Sequence, residues 1–377
     1  MTKNLLIVAG EASGDMHGAS LVREIKRLNP EVAISGIGGS RMQAEGMNIL
    51  FHINQMAFLG FAEVVRHLPF IRKVQARLIE EVKTKDINTV VLIDYPGFNL
   101  SIAKKLKAMG LKVIYYISPQ VWAWGKGRLR KIKKVVDEMI VILPFEEKFF
   151  RDKGINVEYV GHPLLEQIER YKYLTKDGLY ELFALDRTKD ILLVLPGSRL
   201  QEIKRIFPEV ILAAAEVSEK FNLQTVVACS ANIDEDIFRQ LAPAGASFKV
   251  VKDHTYDLFR YARFGIIKSG TSTLEAALFE LPMVVVYATS YLTYLIGKSL
   301  ISIDKISLVN IIAGDKIVEE LIQNEVNKEK IVSACKAVLS DEEHYSSMKD
   351  RLRALQKRLG ITGVSKRCAE IVLGYMS

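Results

Sequence analysis

The stretch from Ile266 to Leu281, IIKSGTSTLEAALFEL, restricts the possible folds more than any other part of the chain. A short apolar run, Phe264 to Ile267, stops at Lys268-Ser269-Gly270. From Thr271 the apolar spacing turns helical, with Leu274, Ala277, Leu278 and Leu281 on one face. A strand, a glycine turn and a helix start in direct succession form the unit from which parallel α/β sheets are wound. Thr271, Ser272 and Thr273 bring hydroxyls and unpaired N–H groups to the helix N-terminus, where the peptide dipoles favour an anion such as phosphate. Glu275, one turn further in, suits a ribose diol, because a carboxylate accepts from two adjacent hydroxyls. The same residues would also make an ordinary capped crossover helix, and the stretch by itself leaves both readings open.

The unit recurs. Asn4 to Ala9 is an apolar run that ends in GEASGDMHG, after which Leu21, Ile25 and Leu28 keep a helical period. The glycines do not form GxGxxG, so the dinucleotide fingerprint is missing from this half, as it is from the other. Ser13 and Asp15 suit helix capping. Glu11 has no such role at the end of a buried strand, and Gly10 to Asp15 reads as a cleft wall. Val32–Ile37, Thr89–Ile93, Lys112–Ile117, Glu138–Leu143 and Val157–Val160 continue a first sheet. Ile191–Leu195, Gln224–Ala228, Phe248–Val250, Phe264–Ile267 and Met283–Tyr287 make a second. The charged, loosely patterned stretch from Gln167 to Asp190 reads as the linker. The expected domains are 1–168 and 169–344. Val318–Leu339 and His344–Tyr375 read as amphipathic helices, and the terminal ones, about 345–377, are candidates to pack back on the first domain. A chain of 377 residues is long enough for two cores of ordinary size.

Residues able to do chemistry follow the strands. Asp94 ends the run Thr89–Ile93 ahead of Tyr95-Pro96-Gly97-Phe98-Asn99, and ligands of open α/β sheets bind at that carboxyl edge. Asp94 is therefore placed either to take a proton from a substrate hydroxyl or to make an Asx-type turn. In Pro196-Gly197-Ser198-Arg199 the glycine allows close approach of an anion, and Arg199 can grip phosphate with two N–H groups. Asn310, in SLVNIIAG, can donate to a phosphate or sugar oxygen or cap a helix. His162, near the domain junction, is either structural or catalytic.

The formal charge of +8 and a pI near 9.1 admit nucleic acid, acidic lipid or a phosphorylated substrate. Trp122 and Trp124 precede a basic run that begins with Lys126 and Arg128, but no nucleic-acid module accompanies them. A phosphate-bearing acceptor or membrane headgroups fit better. The apolar stretch Met56–Ala62, with Phe58 and Phe61, reads as core or as an interfacial surface. The cysteines Cys229, Cys335 and Cys368 show no metal-ligand spacing, and the expected setting is a reducing one without disulfides. No signal peptide is expected, because Glu11 and Asp15 break the first apolar run.

Two doubly wound halves, with anion-binding turns in the second and a candidate base in the first, describe an α/β enzyme of two Rossmann-like domains facing a cleft, the GT-B arrangement. No DxD-like pair stands in a suitable loop, so the expectation is that neither metal nor other cofactor serves the diphosphate. A helix N-terminus and Arg199 would do so instead.

The motifs VAGEASGD, GGSRMQAEG, MAFLGFAEV, IDYPGFN, SPQVWAW, LPFE, VGHPL, LPGSR, SGTSTLE and SLVNIIAG, in this order from Leu5 to Gly314, resemble those of lipid-A-disaccharide synthase. The resemblance implies inverting transfer of 2,3-diacylglucosamine from its UDP derivative to the 6-hydroxyl of 2,3-diacylglucosamine 1-phosphate (lipid X), giving a β-1,6 disaccharide and UDP. By position it makes Asp94 the general base and places Glu11 and Ser13 in the cleft. It assigns Gly197, Ser198, Arg199, Ser269, Gly270, Thr271, Ser272 and Asn310 to the nucleotide or its phosphates, and Glu275 to the ribose. Met56, Phe58, Phe61, Trp122, Trp124, Lys126 and Arg128 fall to the acceptor or membrane side. The chain departs from the family pattern IDxPDFN at Gly97. The implied setting is the cytoplasmic face of the inner membrane, with peripheral attachment to an anionic surface, no nucleic-acid partner, and compatibility with a homo-oligomer.

Other readings of the same pattern are a UDP-sugar 2-epimerase, the transferase acting on the peptidoglycan lipid precursor, and a sugar-nucleotide-binding regulator without turnover. The transferase should lack GEASGD and SPQVWAW. A nicotinamide dehydrogenase is disfavoured because neither half carries the glycine fingerprint.

Overall fold

Strands that are apolar at nearly every position need cover on both faces, which a parallel sheet with crossover helices supplies. A computed structural model describes residues 3–56, 68–123, 125–290 and 305–376, and the chain divides into two units of this kind. The first comprises Met1–Glu166 and Leu359–Ser377, the second Gln167–Arg358.

Seven strands form the first sheet: β1 (Asn4–Ala9), β2 (Ala33–Gly38), β3 (Asn48–His52), β4 (Thr89–Ile93), β5 (Lys112–Tyr116), β6 (Glu138–Val141) and β7 (Val157–Tyr159). Their spatial order is β3-β2-β1-β4-β5-β6-β7, and every pairing is parallel. One face packs Leu6, Val8, Leu92 and Tyr115 against Val74, Leu78 and Ile102. The other packs Leu5, Ile7, Val91 and Ile114 against Leu21, Val22 and Ile25, and against Cys368 and Val372 of the C-terminal helix Val364–Gly374. That helix is held by two contacts, the first of them buried. Glu166 accepts from Ser365 N at 2.9 Å and from its hydroxyl at 2.7 Å, and the Arg367 guanidinium donates to the Val160 carbonyl.

The second unit has six parallel strands: β8 (Asp190–Leu195), β9 (Leu223–Cys229), β10 (Lys249–Lys252), β11 (Ala262–Lys268), β12 (Met283–Tyr287) and β13 (Glu319–Ile322). They lie in the order β10-β9-β8-β11-β12-β13. In both sheets the winding reverses once, between β1 and β4 in the first and between β8 and β11 in the second. The crevice beyond the carboxyl ends of such a pair is where doubly wound sheets bind ligands.

Three expectations from sequence need correction. The stretch Val318–Leu339 is not one helix: it contains β13, a 3-10 turn (Gln323–Glu325) and the helix Lys328–Leu339. The helices expected at about 345–377 are Glu342–Arg358 and Val364–Gly374. They part at Gly360 and Gly363, both with φ near +90°. Only the second of them belongs to the first unit. Finally, Gln167–Asp190 is no loose linker: it carries the end of the helix Leu164–Arg170 and the helix Lys176–Leu182, capped by Thr175 and anchored by buried Leu179 and Tyr180.

Candidate active site

In the first unit Ala9 of β1 pairs with Ile93 of β4, so the residues that follow each strand share one sheet edge. Gly10 is required there: a Cβ at this position would lie 2.2 Å from the Tyr95 ring. The GEASGD and IDYPGFN segments therefore meet through that glycine. Asp94 and Tyr95 both adopt left-handed backbone, with φ of 44° and 45°. Successive non-glycine residues in this region are strained and persist only where their surroundings hold them. Here the Asp94 N–H donates to the Tyr116 carbonyl at 3.0 Å. The Asp94 carbonyl accepts from Asn99 Nδ2 at 2.8 Å and from the Tyr115 hydroxyl at 2.5 Å, and Tyr95 donates its hydroxyl to the Met56 carbonyl. Burial, and after it the charge of Glu11, pushes the Asp94 carboxyl up from 3.8 to about 6. A carboxylate poised near neutrality is what a general base requires.

Glu11 is exposed and opens the helix Ala12–Leu28 without capping it through its side chain, and Ser13 is also exposed. Asp15 caps a different helix. Its buried carboxylate accepts from Gly39 N at 2.7 Å, Met42 N at 3.1 Å and Arg41 N at 3.2 Å, fixing the start of Ser40–Ala44.

In the second unit Leu195 of β8 pairs with Ile267 of β11. The turn after each strand borders one cavity of about 440 Å³, lined among others by Gly197, Ser198, Arg199, Ser269, Gly270, Thr271, Ser272 and Glu275. The helix Leu200–Phe221 starts at Arg199 and the helix Thr271–Leu278 starts at Gly270, so two positive dipole ends reach it. Burial raises the Glu275 carboxyl, and it accepts from the Tyr256 hydroxyl at 3.0 Å.

The hydroxyls divide by role. Ser269 donates to the Ile306 carbonyl at 2.9 Å and Thr273 to the Gly270 carbonyl at 2.8 Å, so both hold the loop, while Thr271 is exposed.

A family model for lipid-A-disaccharide synthetase matches residues 5–371. The chain belongs to that family. Curated relatives named lipid-A-disaccharide synthase include those of Geobacter metallireducens, 40% identical with 98% of this chain and 97% of the relative covered, and Myxococcus xanthus, 38% identical with 98% and 96% covered. Among solved structures, the UDP-GlcNAc 2-epimerase of Neisseria meningitidis bound to UDP-GlcNAc superposes with a TM-score of 0.68 at 11% identity, covering 98% of this chain and all of that one. The calicheamicin glycosyltransferase CalG4 superposes at 0.64 and 16% identity, covering 100% of this chain and 98% of that one. These likenesses show the GT-B fold, and membership of the synthase family makes the chain a glycosyltransferase of lipid A synthesis.

Within this synthase several residues assigned from sequence turn out to build the site and not to face it. Asn310 is buried, and its side chain is fully used: Nδ2 donates to Val318 O and Glu320 Oε1, and Oδ1 accepts from Ile317 N and Val318 N. It has no group left for a nucleotide. Glu320 of β13 gathers the same loop, accepting from Ile306 N, Ser307 N, the Ser307 hydroxyl and Asn310. SLVNIIAG thus supports the cavity at one remove, since Glu320 holds it together with the preceding Ile306, whose carbonyl receives Ser269.

Met56 is fully buried, and Trp122 is buried with its Nε1 donating to Glu146 at 3.0 Å and its ring edge-on to Phe145. Of the two roles expected for them, acceptor side or membrane side, neither buried side chain offers a surface for the second. Phe58, Phe61 and Trp124 lie outside the described residues. Lys126 and Arg128 belong to one 3-10 turn. Exposed basic residues do follow on the helix Leu129–Val135: Arg130, Lys131, Lys133 and Lys134. His162 is structural. Its Nδ1 accepts from Leu164 N, and burial, with His17 nearby, lowers it to about 3.

Tyr256 and Glu320 were not singled out from sequence, and Glu202, Lys268 and Glu146 were read only as members of their segments, without their partners. Each stands in a helix or strand pattern that gives no cue to its partner, and its role appears only in the tertiary structure. Among the described residues no helix is long and apolar enough to cross a membrane.

Proposed function

We propose that the protein transfers 2,3-diacylglucosamine with inversion from UDP-2,3-diacylglucosamine to the 6-hydroxyl of 2,3-diacylglucosamine 1-phosphate, forming the β-1,6 disaccharide 1-phosphate and UDP. The observation that carries this reading is that the PGSR turn and the SGTSTLE helix start, distant in sequence, border one cavity. Two helix N-termini and the Arg199 guanidinium converge there, as the departing diphosphate needs, because its charge grows as the sugar bond breaks. Glu275, which borders the same cavity, accepts from the ribose hydroxyls. Asp94 takes the acceptor proton as the hydroxyl oxygen attacks the anomeric carbon, and the bond to the diphosphate oxygen breaks on the opposite face.

We further propose that no divalent ion takes part and that the enzyme attaches reversibly to anionic membrane through exposed basic residues such as those of Leu129–Val135.

The test is an assay pairing radiolabelled UDP-2,3-diacylglucosamine with the monosaccharide phosphate. Disaccharide formation that persists in excess chelator is the expected result, and a need for restored divalent ion would refute the metal-free step. Incubation with UDP-N-acetylglucosamine alone separates this activity from an epimerase, which would yield a new UDP-sugar without acceptor. Asp94→Ala should abolish most turnover while leaving UDP affinity nearly intact, whereas Arg199→Ala should weaken both. Release from vesicles by salt without detergent is expected of peripheral attachment.

A further inference from the structure

Lys268, the last residue of β11, points Nζ at Glu202 Oε1 from 3.0 Å, and both side chains are largely withdrawn from water, at 16% and 17% exposure. The Arg199 guanidinium, at 80% exposure, lies 3.7 Å from the same oxygen. All three line the cavity of the second unit. Gly197, at φ +122°, makes this meeting possible: a Cβ there would come within 3.0 Å of the second Glu202 oxygen and 3.7 Å of Lys268 Cδ.

A single carboxylate is thus shared by one sheltered cation and one exposed cation. Glu202 stands in the first turn of the helix Leu200–Phe221, where the dipole favours negative charge. Its oxygens therefore occupy surroundings that would equally suit a phosphate oxygen: a helix N-terminus, an ammonium and a guanidinium. A sheltered ion pair gains little net stability over apolar packing, since desolvation offsets the attraction. Holding an ammonium in place at a binding surface is a more specific use of it.

On the reading of this cavity as the UDP site, we infer that Lys268 is a second phosphate-binding cation, and that Glu202 holds its ammonium at the cavity floor until the more concentrated charge of a nucleoside diphosphate takes it over. Uridine, UMP and UDP present increasing charge to the same base subsite, so their affinities separate phosphate recognition from the rest.

Calorimetric titration of the full-length protein with these three ligands tests the inference, with thermal unfolding used to confirm that each variant is folded. Lys268→Met should weaken UDP by about ten- to a hundredfold, the effect of losing one charge-assisted hydrogen bond. Uridine affinity should change by less than about twofold, and Lys268→Arg should recover most of the loss. Glu202→Gln removes the competing anion and should leave UDP bound as tightly as in wild type or tighter. Equal UDP affinity in wild type and Lys268→Met overturns the inference, as does a parallel loss of uridine and UDP. A wild-type protein that binds none of the three overturns the cavity assignment as well, an outcome distinct from the other two.

Discussion

The Tyr115 hydroxyl donates to the main-chain carbonyl of Asp94 at 2.5 Å, from a tyrosine otherwise buried in the core beneath the first sheet. With Asn99 Nδ2 on the same oxygen, it holds a left-handed residue whose carboxyl is the proposed base. Tyr115→Phe removes one of these two bonds, a loss of about 1 kcal/mol in stability. Turnover should fall several-fold with KM for both substrates nearly unchanged, because the defect lies in the aim of the carboxylate. Steady-state kinetics on both substrates checks this, and a proportional rise in KM would contradict it.

The raised Asp94 carboxyl has opposite consequences for activity and stability. A base must be ionised, so turnover should fall as pH drops through about 6. Glu11→Gln removes one cause of the elevation and should move that acid limb to lower pH. In the folded protein this group holds its proton more tightly than in the unfolded chain, where the ordinary value is 3.8. The ionised carboxyl therefore costs stability above about pH 6, and the cost vanishes below the ordinary value. Asp94→Asn should then be more stable than wild type by up to about 2–3 kcal/mol at pH 8, with the difference lost near pH 3.5. Urea unfolding at the two pH values measures it.

Gly97 occupies the position where the family pattern carries a second aspartate. A Cβ there would meet nothing within 4 Å, and the residue is exposed in the first turn of the helix Pro96–Ala108. Gly97→Asp should therefore fold normally and gain about 0.5–1 kcal/mol from helix propensity and the dipole. Its turnover should stay within about twofold of wild type. If Gly97→Asp restored activity to Asp94→Asn, the base role would belong to position 97 in the family and not to Asp94.

Glu146 is the buried acceptor that organises the SPQVW segment, receiving the Ser118 hydroxyl at 2.5 Å, Trp122 Nε1 at 3.0 Å and Leu143 N at 3.1 Å. Glu146→Ala strands these donors and should cost about 3 kcal/mol. Tryptophan emission should shift to the red as Trp122 gains water, and an unchanged spectrum would show that the loop does not depend on Glu146.

Asn310→Ala distinguishes a scaffold from a ligand contact. Loss of its buried bonds to Ile317, Val318 and Glu320 should lower stability by about 2–4 kcal/mol. UDP affinity of the folded protein should change only a few-fold, and a selective loss of UDP binding at unchanged stability would return Asn310 to the nucleotide.

The sequence by itself determined the strand–turn–helix units and hence the two parallel sheets. Continuous apolar runs such as Thr89–Ile93 and Met283–Tyr287 have one way to be buried, and the turns at Gly197 and Gly270 mark where a strand gives way to a helix. It missed β3 and β13 because both are edge strands that are only partly buried, and Glu319-Glu320 reads as helix until Glu320 is seen gathering the 306–310 loop. Tertiary structure alone decided which polar residues face the ligand sites. Local pattern sets a residue's neighbours along the chain, whereas Asn310, Trp122, Lys268 and Glu202 are assigned by partners that only the order of the strands brings within hydrogen-bonding distance. That order also brought the segment after β4 against Gly10 and set Arg199 and Ser272 on one cavity, by reversing the winding once in each sheet.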